Sequence, residues 1–131
     1  MQDEPDPAEL LAAVAAFLRD VVAAEASART AFQARVAAKA VDLVARQIAA
    51  QAETDDAERL RLVALLGRDG PLESLNEALA CAIAAGTMTL ETAGLADHLR
   101  LTTLAKLAVD QPGYAGYCAA LAERAAPPEE T

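Results

Sequence analysis

The chain has 131 residues, of which 54% are hydrophobic and only 3% aromatic, and its net charge is −9 at pH 7. This length suits one domain with a core that needs no disulfide or metal, and the surplus of acids argues against binding to nucleic acid or to anionic membranes. Because alanine, leucine and valine supply most of the apolar content, we predict an all-α protein.

The first predicted helix begins after Asp6, with Pro7 in its first turn and Glu9 placed to complete a capping box. It is expected to end near residues 24–27. Its apolar positions recur at spacings of four, three and four, which predicts a face that packs in the core. These positions are Leu10, Val14, Phe17 and Val21, and Leu11, Leu18 and Val22 widen the face.

Two helices are predicted in the next part of the chain. One runs from about residue 28 or 30 to residue 52, and the next runs from a cap at Thr54 or Asp55 to Gly67. The sequence RDGPLE then marks a turn. A fourth helix is predicted over about residues 72–85. Its expected buried face consists of Leu75, Leu79, Ala82 and Ile83.

The last part of the chain predicts a fifth helix over about residues 95–110 and a sixth over about residues 114–125. Pro112 separates the two, because the residue before a proline is disfavoured in a helix. The elements together predict a compact bundle of about five or six helices.

We expect residues 1–131 to form a single domain, since neither a repeat nor a low-complexity linker divides them. The ends, residues 1–5 and 126–131, are expected to fray. A secretory signal begins with basic residues, whereas this chain begins with MQDEPDPAEL. No apolar stretch reaches the roughly 20 residues that span a bilayer. We therefore predict a cytoplasmic protein with no membrane partner.

Common catalytic and metal-binding patterns are missing from the sequence. Cys81 and Cys118 fit no metal-ligand spacing, and we interpret both as small buried apolar residues. There is no glycine-rich phosphate loop, no H-E-x-x-H motif and no nucleophile–base–orienter set. We expect no cofactor and no metal, and we consider an independent enzyme the weakest hypothesis.

The fifth helix carries a polar arc of about 140 degrees. One interpretation is a solvated face with a Lys106–Asp110 contact one turn apart. The other is a surface that binds an anionic ligand, an acyl ligand or a partner, where His98 could change charge near neutral pH. The arc contains His98, Thr102, Thr103, Lys106 and Asp110.

Two more groups of residues allow similar alternatives. Arg35, Lys39 and Arg46 form a basic stripe that could hold a phosphate or carboxylate, or could pair with the surplus acids. Tyr114 and Tyr117 follow Pro112, where we expect them to close the end of the bundle with their hydroxyls in water.

Three segments of the chain resemble a bacterial family of uncharacterised domains whose members are short, acidic and helical. They are MQDEPDPAELLAAVAAFLRD, AFQARVAAKAVDLVARQ and HLRLTTLAKLAVDQPGY, and the resemblance covers roughly residues 1–120. Family members are typically encoded beside an aminoglycoside-phosphotransferase-like kinase and an acyl-CoA dehydrogenase, a setting similar to the phosphorylation and rearrangement of hydroxyacyl-CoA in acid catabolism. The resemblance implies an accessory or stabilising subunit of such a kinase.

The resemblance also bears on individual residues. The family pattern F-H-x-R-V-A-A-N has Gln33 and Lys39 here at its His and Asn positions.

The competing hypothesis is a stand-alone helical bundle that binds acyl-CoA or an organic acid, and apolar stripes also allow a homodimer. The candidate ligand- or partner-binding residues are Arg35, Lys39, His98, Thr102, Thr103, Lys106 and Tyr114.

Overall fold

A computed structural model describes residues 5–125 of the chain. Every regular element in this range is helical and none is a strand, which confirms the predicted all-α fold. The chain divides into two compact units, residues 1–52 (unit 1) and residues 53–131 (unit 2). That the chain forms a single domain stays a prediction. The fraying predicted for the two ends falls, except at Pro5, on residues outside the described range.

Unit 1 begins with a helix whose N-terminus matches the prediction. The Asp6 carboxylate accepts a hydrogen bond from the Glu9 backbone N–H at 2.8 Å, and the Glu9 carboxylate accepts one from the Asp6 N–H at 3.0 Å. This capping box satisfies two backbone donors that the first helical turn leaves unpaired. The helical segments that follow are α1 (Pro7–Phe17), a π-helical turn (Leu18–Val22), α2 (Ala23–Glu25) and α3 (Ala28–Leu66), of which α3 continues into unit 2.

Helix α3 is continuous where the sequence predicts two helices, so that prediction is wrong. Thr54 and Asp55, predicted as a cap, lie inside the helix. The 39 residues of α3 contain no glycine or proline, and the less favourable polar residues each cost at most about 0.7 kcal/mol of helix propensity. Gly67 ends the helix as predicted, with a φ of 67° that favours glycine.

Small side chains form most of the core of unit 1, with Val22 packed against them, and the predicted core face of the first helix is wrong at its four central positions. Leu10, Val14, Phe17 and Val21 are between 41% and 56% exposed. Helices that meet at small residues approach more closely, because the side chains at the contact set the interaxial distance. The buried residues of this unit are Ala15, Ala23, Ala31, Ala34 and Ala38.

One charged contact also joins the elements of unit 1. Arg19, in the π-helical turn, donates to the Asp42 carboxylate of α3 at 2.9 Å. Asp42 therefore connects two segments that are 23 positions apart in the chain.

Unit 2 contains the end of α3 together with α4 (Leu72–Ala84), α5 (Leu95–Asp110) and α6 (Ala115–Ala125), close to the predicted bounds. Its core is built from leucines of three helices, and Met88 from the connection between α4 and α5 packs against them. The buried leucines of this cluster are Leu62, Leu75, Leu79 and Leu95, and Leu104 of α5 is also buried.

Three predictions of burial in unit 2 are wrong. Ile83 is 41% exposed, although Leu75 and Leu79 of the same predicted face are buried. Cys81 and Cys118 are both exposed free thiols. Cys81 follows Leu79 by two positions, which turns it about 200 degrees around the helix from a core residue.

Within residues 5–125, no helix combines the length and the apolar character needed to cross a bilayer.

Candidate functional site

Unit 2 contains a cavity of about 250 Å³. It lies between the last turns of α3, the connection before α5 and the first turn of α5. Its walls combine small apolar side chains with three ionisable ones, the mixture found in many ligand sites. The lining residues are Arg61, Ala64, Leu65, Ala93, Gly94, Asp97 and His98.

The backbone before α5 determines one wall of this cavity. The Thr89 N–H donates to the Thr92 hydroxyl at 3.0 Å, and the Thr92 N–H donates to the Thr89 carbonyl at 2.8 Å. Gly94 then takes a φ of 85°, a backbone angle that residues with a Cβ atom strongly disfavour. The His98 N–H donates to the Gly94 carbonyl at 2.9 Å, so the first turn of α5 brings His98 to the wall.

His98 is buried, although the sequence allowed it to lie on a solvated face. Its side chain is only 2% exposed, and its Nδ1 atom has no hydrogen-bond partner. Burial lowers the pKa of His98 below 6.5 and the positive charge of Arg61 lowers it further, while the negative charge of Glu58 acts in the opposite direction. The ring is therefore predominantly neutral at pH 7, when one ring nitrogen donates and the other accepts.

Arg61 is the second polar residue with an unpaired buried atom. Its Nη2 donates to the Thr102 hydroxyl at 3.3 Å, which connects α3 to α5. Its Nε is buried and has no hydrogen-bond partner. A buried polar group without a partner costs about 1–3 kcal/mol, so these two atoms lower the stability of the folded state.

The carboxylates near the cavity limit its net charge. Glu58, one turn before Arg61, accepts a hydrogen bond from the Asn76 amide at 2.8 Å. Asp97 lines the cavity and is exposed. One guanidinium therefore stands among two carboxylates and a histidine with a lowered pKa.

Of the predicted candidate residues of α5 and the segment after it, the structure places some at the cavity and others away from it. His98 lines the cavity, and Thr102 contacts the cavity residue Arg61. Thr103 is exposed and donates its hydroxyl to the Leu99 carbonyl at 2.8 Å. Lys106 and Tyr114 are exposed and do not line the cavity. Among the ion pairs of the described residues, none joins Lys106 to Asp110.

The remaining candidates, Arg35 and Lys39, are exposed on the part of α3 that belongs to unit 1.

Sequence reasoning missed Arg61, which is central to the cavity. The only signal for it was a charge within the apolar run RLRLVALLG, at three and four positions before the apolar residues Ala64 and Leu65. In residues 5–125, no three or more His, Cys, Asp or Glu side chains are grouped as a metal site would require.

These features define an all-α protein with an exposed apolar helix face in unit 1 and, in unit 2, a cavity lined by apolar and ionisable side chains. The chain belongs to the family described as "Domain of unknown function (DUF6285)", which it matches over residues 24–114. This match confirms the resemblance to an uncharacterised domain family over that range. No curated protein and no solved structure matches the chain.

Proposed function

We propose that the protein is an accessory subunit that docks on a partner enzyme through an apolar face of unit 1. The observation that carries this proposal is the outward position of the large apolar residues of unit 1, whose core is built from alanine. We refer to four of them as the outward stripe. It consists of Leu10, Val14, Phe17 and Val21.

The spacing of the outward stripe suits a helical docking surface. Its members recur every three or four residues, as do the anchors of helices that bind in an apolar groove. The twelve residues from Leu10 to Val21 span about 17 Å of helix. Phe32 and Val36, on α3 of the same unit, are 65% and 52% exposed. Large exposed apolar patches on small domains mark interaction sites.

The partner we propose is an aminoglycoside-phosphotransferase-like kinase that acts on a hydroxyacyl-CoA in acid catabolism. Support for this partner comes from the resemblance, in which such kinases are encoded beside family members. The proposal assigns the phosphoryl transfer to the kinase and a stabilising role to this chain, and it places both in the cytoplasm. A second copy of this chain is the competing occupant of the stripe.

The test is co-expression of the full chain with the aminoglycoside-phosphotransferase-like kinase of the same genome. We expect the two chains to co-purify and to form a complex of defined mass in sedimentation velocity. The double variant Val14→Glu/Phe17→Glu should weaken this complex by about 30-fold or more, as the loss of central apolar contacts typically does. Both residues are exposed in the isolated chain, so its own stability should change little.

Leu90→Glu is the matched control. Leu90 is an apolar residue of unit 2 that is 75% exposed, and it lies outside the outward stripe. The control should bind the kinase as the unmodified chain does. If no complex forms, the proposed partner is wrong. If the double variant and the control bind equally well, the outward stripe is not the docking face.

A further inference from the structure

We propose that the part of α3 in unit 1 carries a second contact surface for the partner enzyme, and that this surface binds an acidic helix with an apolar side. The inference rests on the accessory role proposed above, and it names the chemistry that the partner must present. We refer to the surface as the basic patch. It consists of five exposed residues, Arg29, Phe32, Arg35, Val36 and Lys39.

The basic patch is centred on Phe32. Arg29 lies three residues before it and Arg35 three residues after it, and Val36 follows it by four. Residues three or four positions apart are neighbours on the surface of a helix. Lys39 follows Arg35 by four positions and Val36 by three, which places it on the same side. The patch extends for about 15 Å along the helix.

The three cations of the basic patch have no acidic partner in the part of the chain that the structure describes. None of them belongs to an ion pair there. Residues 28–52 contain four of the 11 bases of the chain and one of its 20 acids. That acid is Asp42, whose carboxylate accepts a hydrogen bond from Arg19 at 2.9 Å. The positive charge of the patch is therefore available to a partner.

The arrangement of the basic patch is unfavourable in the isolated chain. Arg35 and Lys39 are like charges one turn apart, and such pairs repel each other. Arg29 lies in the first turn of α3, where the helix dipole disfavours a cation. The side chain of Phe32 is 65% exposed to water. A partner surface that brings both carboxylates and apolar side chains would relieve all three.

These features favour a protein helix over an extended polyanion. Outside residues 28–52 the acids far outnumber the bases, and a nucleic acid or an anionic bilayer would approach those acids as well. A helix can contact the basic patch alone, and salt screens charges that lie farther away than about 10 Å. Phe32 and Val36 also require apolar side chains opposite them, which a phosphate backbone does not offer. Carboxylates on both sides of an apolar helix face meet both needs.

The test measures the dissociation constant of the complex between the full chain and the kinase. The variant Arg35→Glu/Lys39→Glu reverses two charges of the basic patch. The matched control, Arg68→Glu/Arg124→Glu, reverses two exposed charges of unit 2, so both variants have the same net charge. In about 0.05 M NaCl we expect the patch variant to weaken the complex by about 30-fold or more and the control by less than about threefold.

The salt dependence of the complex is the second measurement. The complex of the unmodified chain should weaken as NaCl rises from about 0.05 M to about 0.5 M, because salt screens charges across the contact. The patch variant should lose most of this dependence, and the control should keep it. If the double variant fails to fold, Lys39→Glu replaces it. This substitution turns the like-charge pair with Arg35 into an opposite pair, so the Tm of the isolated chain should not fall.

The outcomes distinguish this inference from the proposed function. If a complex forms and the patch variant binds as the control does, or if salt leaves the complex of the unmodified chain unchanged, the basic patch does not bind an acidic helix. The outward stripe is then unaffected, because its own variants test it. If the patch variant alters only the self-association of the isolated chain, the patch is a contact between copies and the inference is wrong. If no complex forms, the proposed partner is wrong and the inference fails with it.

Discussion

The burial of His98 beside Arg61 ties the protonation of its ring to folding. In the unfolded chain its pKa is near 6.5, and in the folded protein burial and then the charge of Arg61 lower that pKa. The unfolded state therefore binds a proton at a higher pH than the folded state does. Stability must rise with pH wherever the unfolded state binds more protons.

We predict that the free energy of unfolding decreases as the pH falls from about 7.5 to about 5.5. Above the unfolded pKa of 6.5 both states are neutral at His98, and the stability that the neutral buried ring supports is fully present. It is lost as the pH falls through 6.5 towards the lower folded pKa, and no more is lost below that value. Urea unfolding at a series of pH values measures the slope.

His98→Gln is the comparison for this slope. Glutamine does not titrate, so the variant should lose most of the pH dependence in this range even if its stability is lower at every pH. Equal slopes for the two proteins would show that the His98 ring has the same pKa in both states.

The sequence identified His98 as a candidate but not its environment. Its helix and its phase on that helix follow from the period of the apolar residues. Its burial depends on Arg61 and on the Gly94 turn, and Arg61 meets Thr102 across 41 positions of the chain. A helical period relates residues only a few positions apart, so the pairing of α3 with α5 could not be read from it.

At the scale of the element, unit 1 shows that the size of the apolar side chains did not decide which face of the first helix is buried. A helical stripe of leucine, valine and phenylalanine predicts the core, whereas five alanines occupy it. Both faces of α1 are apolar, because alanine fills most of the positions that the larger residues leave. An amphipathic pattern with two apolar faces specifies a helix without specifying which face packs.

We predict that Ala38→Leu destabilises the protein by about 1–3 kcal/mol, the usual cost of overpacking a closely packed core. Ala38 is only 1% exposed, in the alanine core of unit 1. Leucine is nearly as good a helix former as alanine, so helix propensity contributes little to the change. The urea midpoint, at unchanged slope with denaturant, reports the difference.

Ala37→Leu is the neighbouring control, since Ala37 is exposed on the same helix. It should change the free energy of unfolding by no more than about 0.5 kcal/mol. Similar losses of stability for both variants would mean that the helices of unit 1 do not pack closely at the buried alanines.

The boundaries of the helices were predictable where glycine or proline enforces them. Gly67 and Gly86 follow helix ends and take positive φ angles, and Pro112 separates α5 from α6. The predicted break at Thr54 had no such residue to enforce it. Good cap residues favour a helix start only where the chain before them leaves the helix, and here it does not.

At the scale of the whole molecule, two properties of the chain oppose each other. The outward stripe exposes apolar area that favours association, and the net charge of −9 makes copies of the chain repel one another. Screening lengths are near 10 Å at about 0.1 M salt and near 3 Å at about 1 M. Salt therefore weakens the repulsion and leaves the apolar attraction in place.

We predict that the isolated chain, without any kinase, is monomeric in about 0.02 M NaCl and self-associates as the salt approaches about 1 M. Sedimentation velocity at a fixed protein concentration measures the shift. Phe17→Glu should abolish the association and Leu90→Glu should preserve it. Each variant adds one negative charge to an exposed apolar position, so any difference between them reports the location of the contact rather than the charge. If both variants remain associated at high salt, copies of the chain meet through a surface other than the outward stripe.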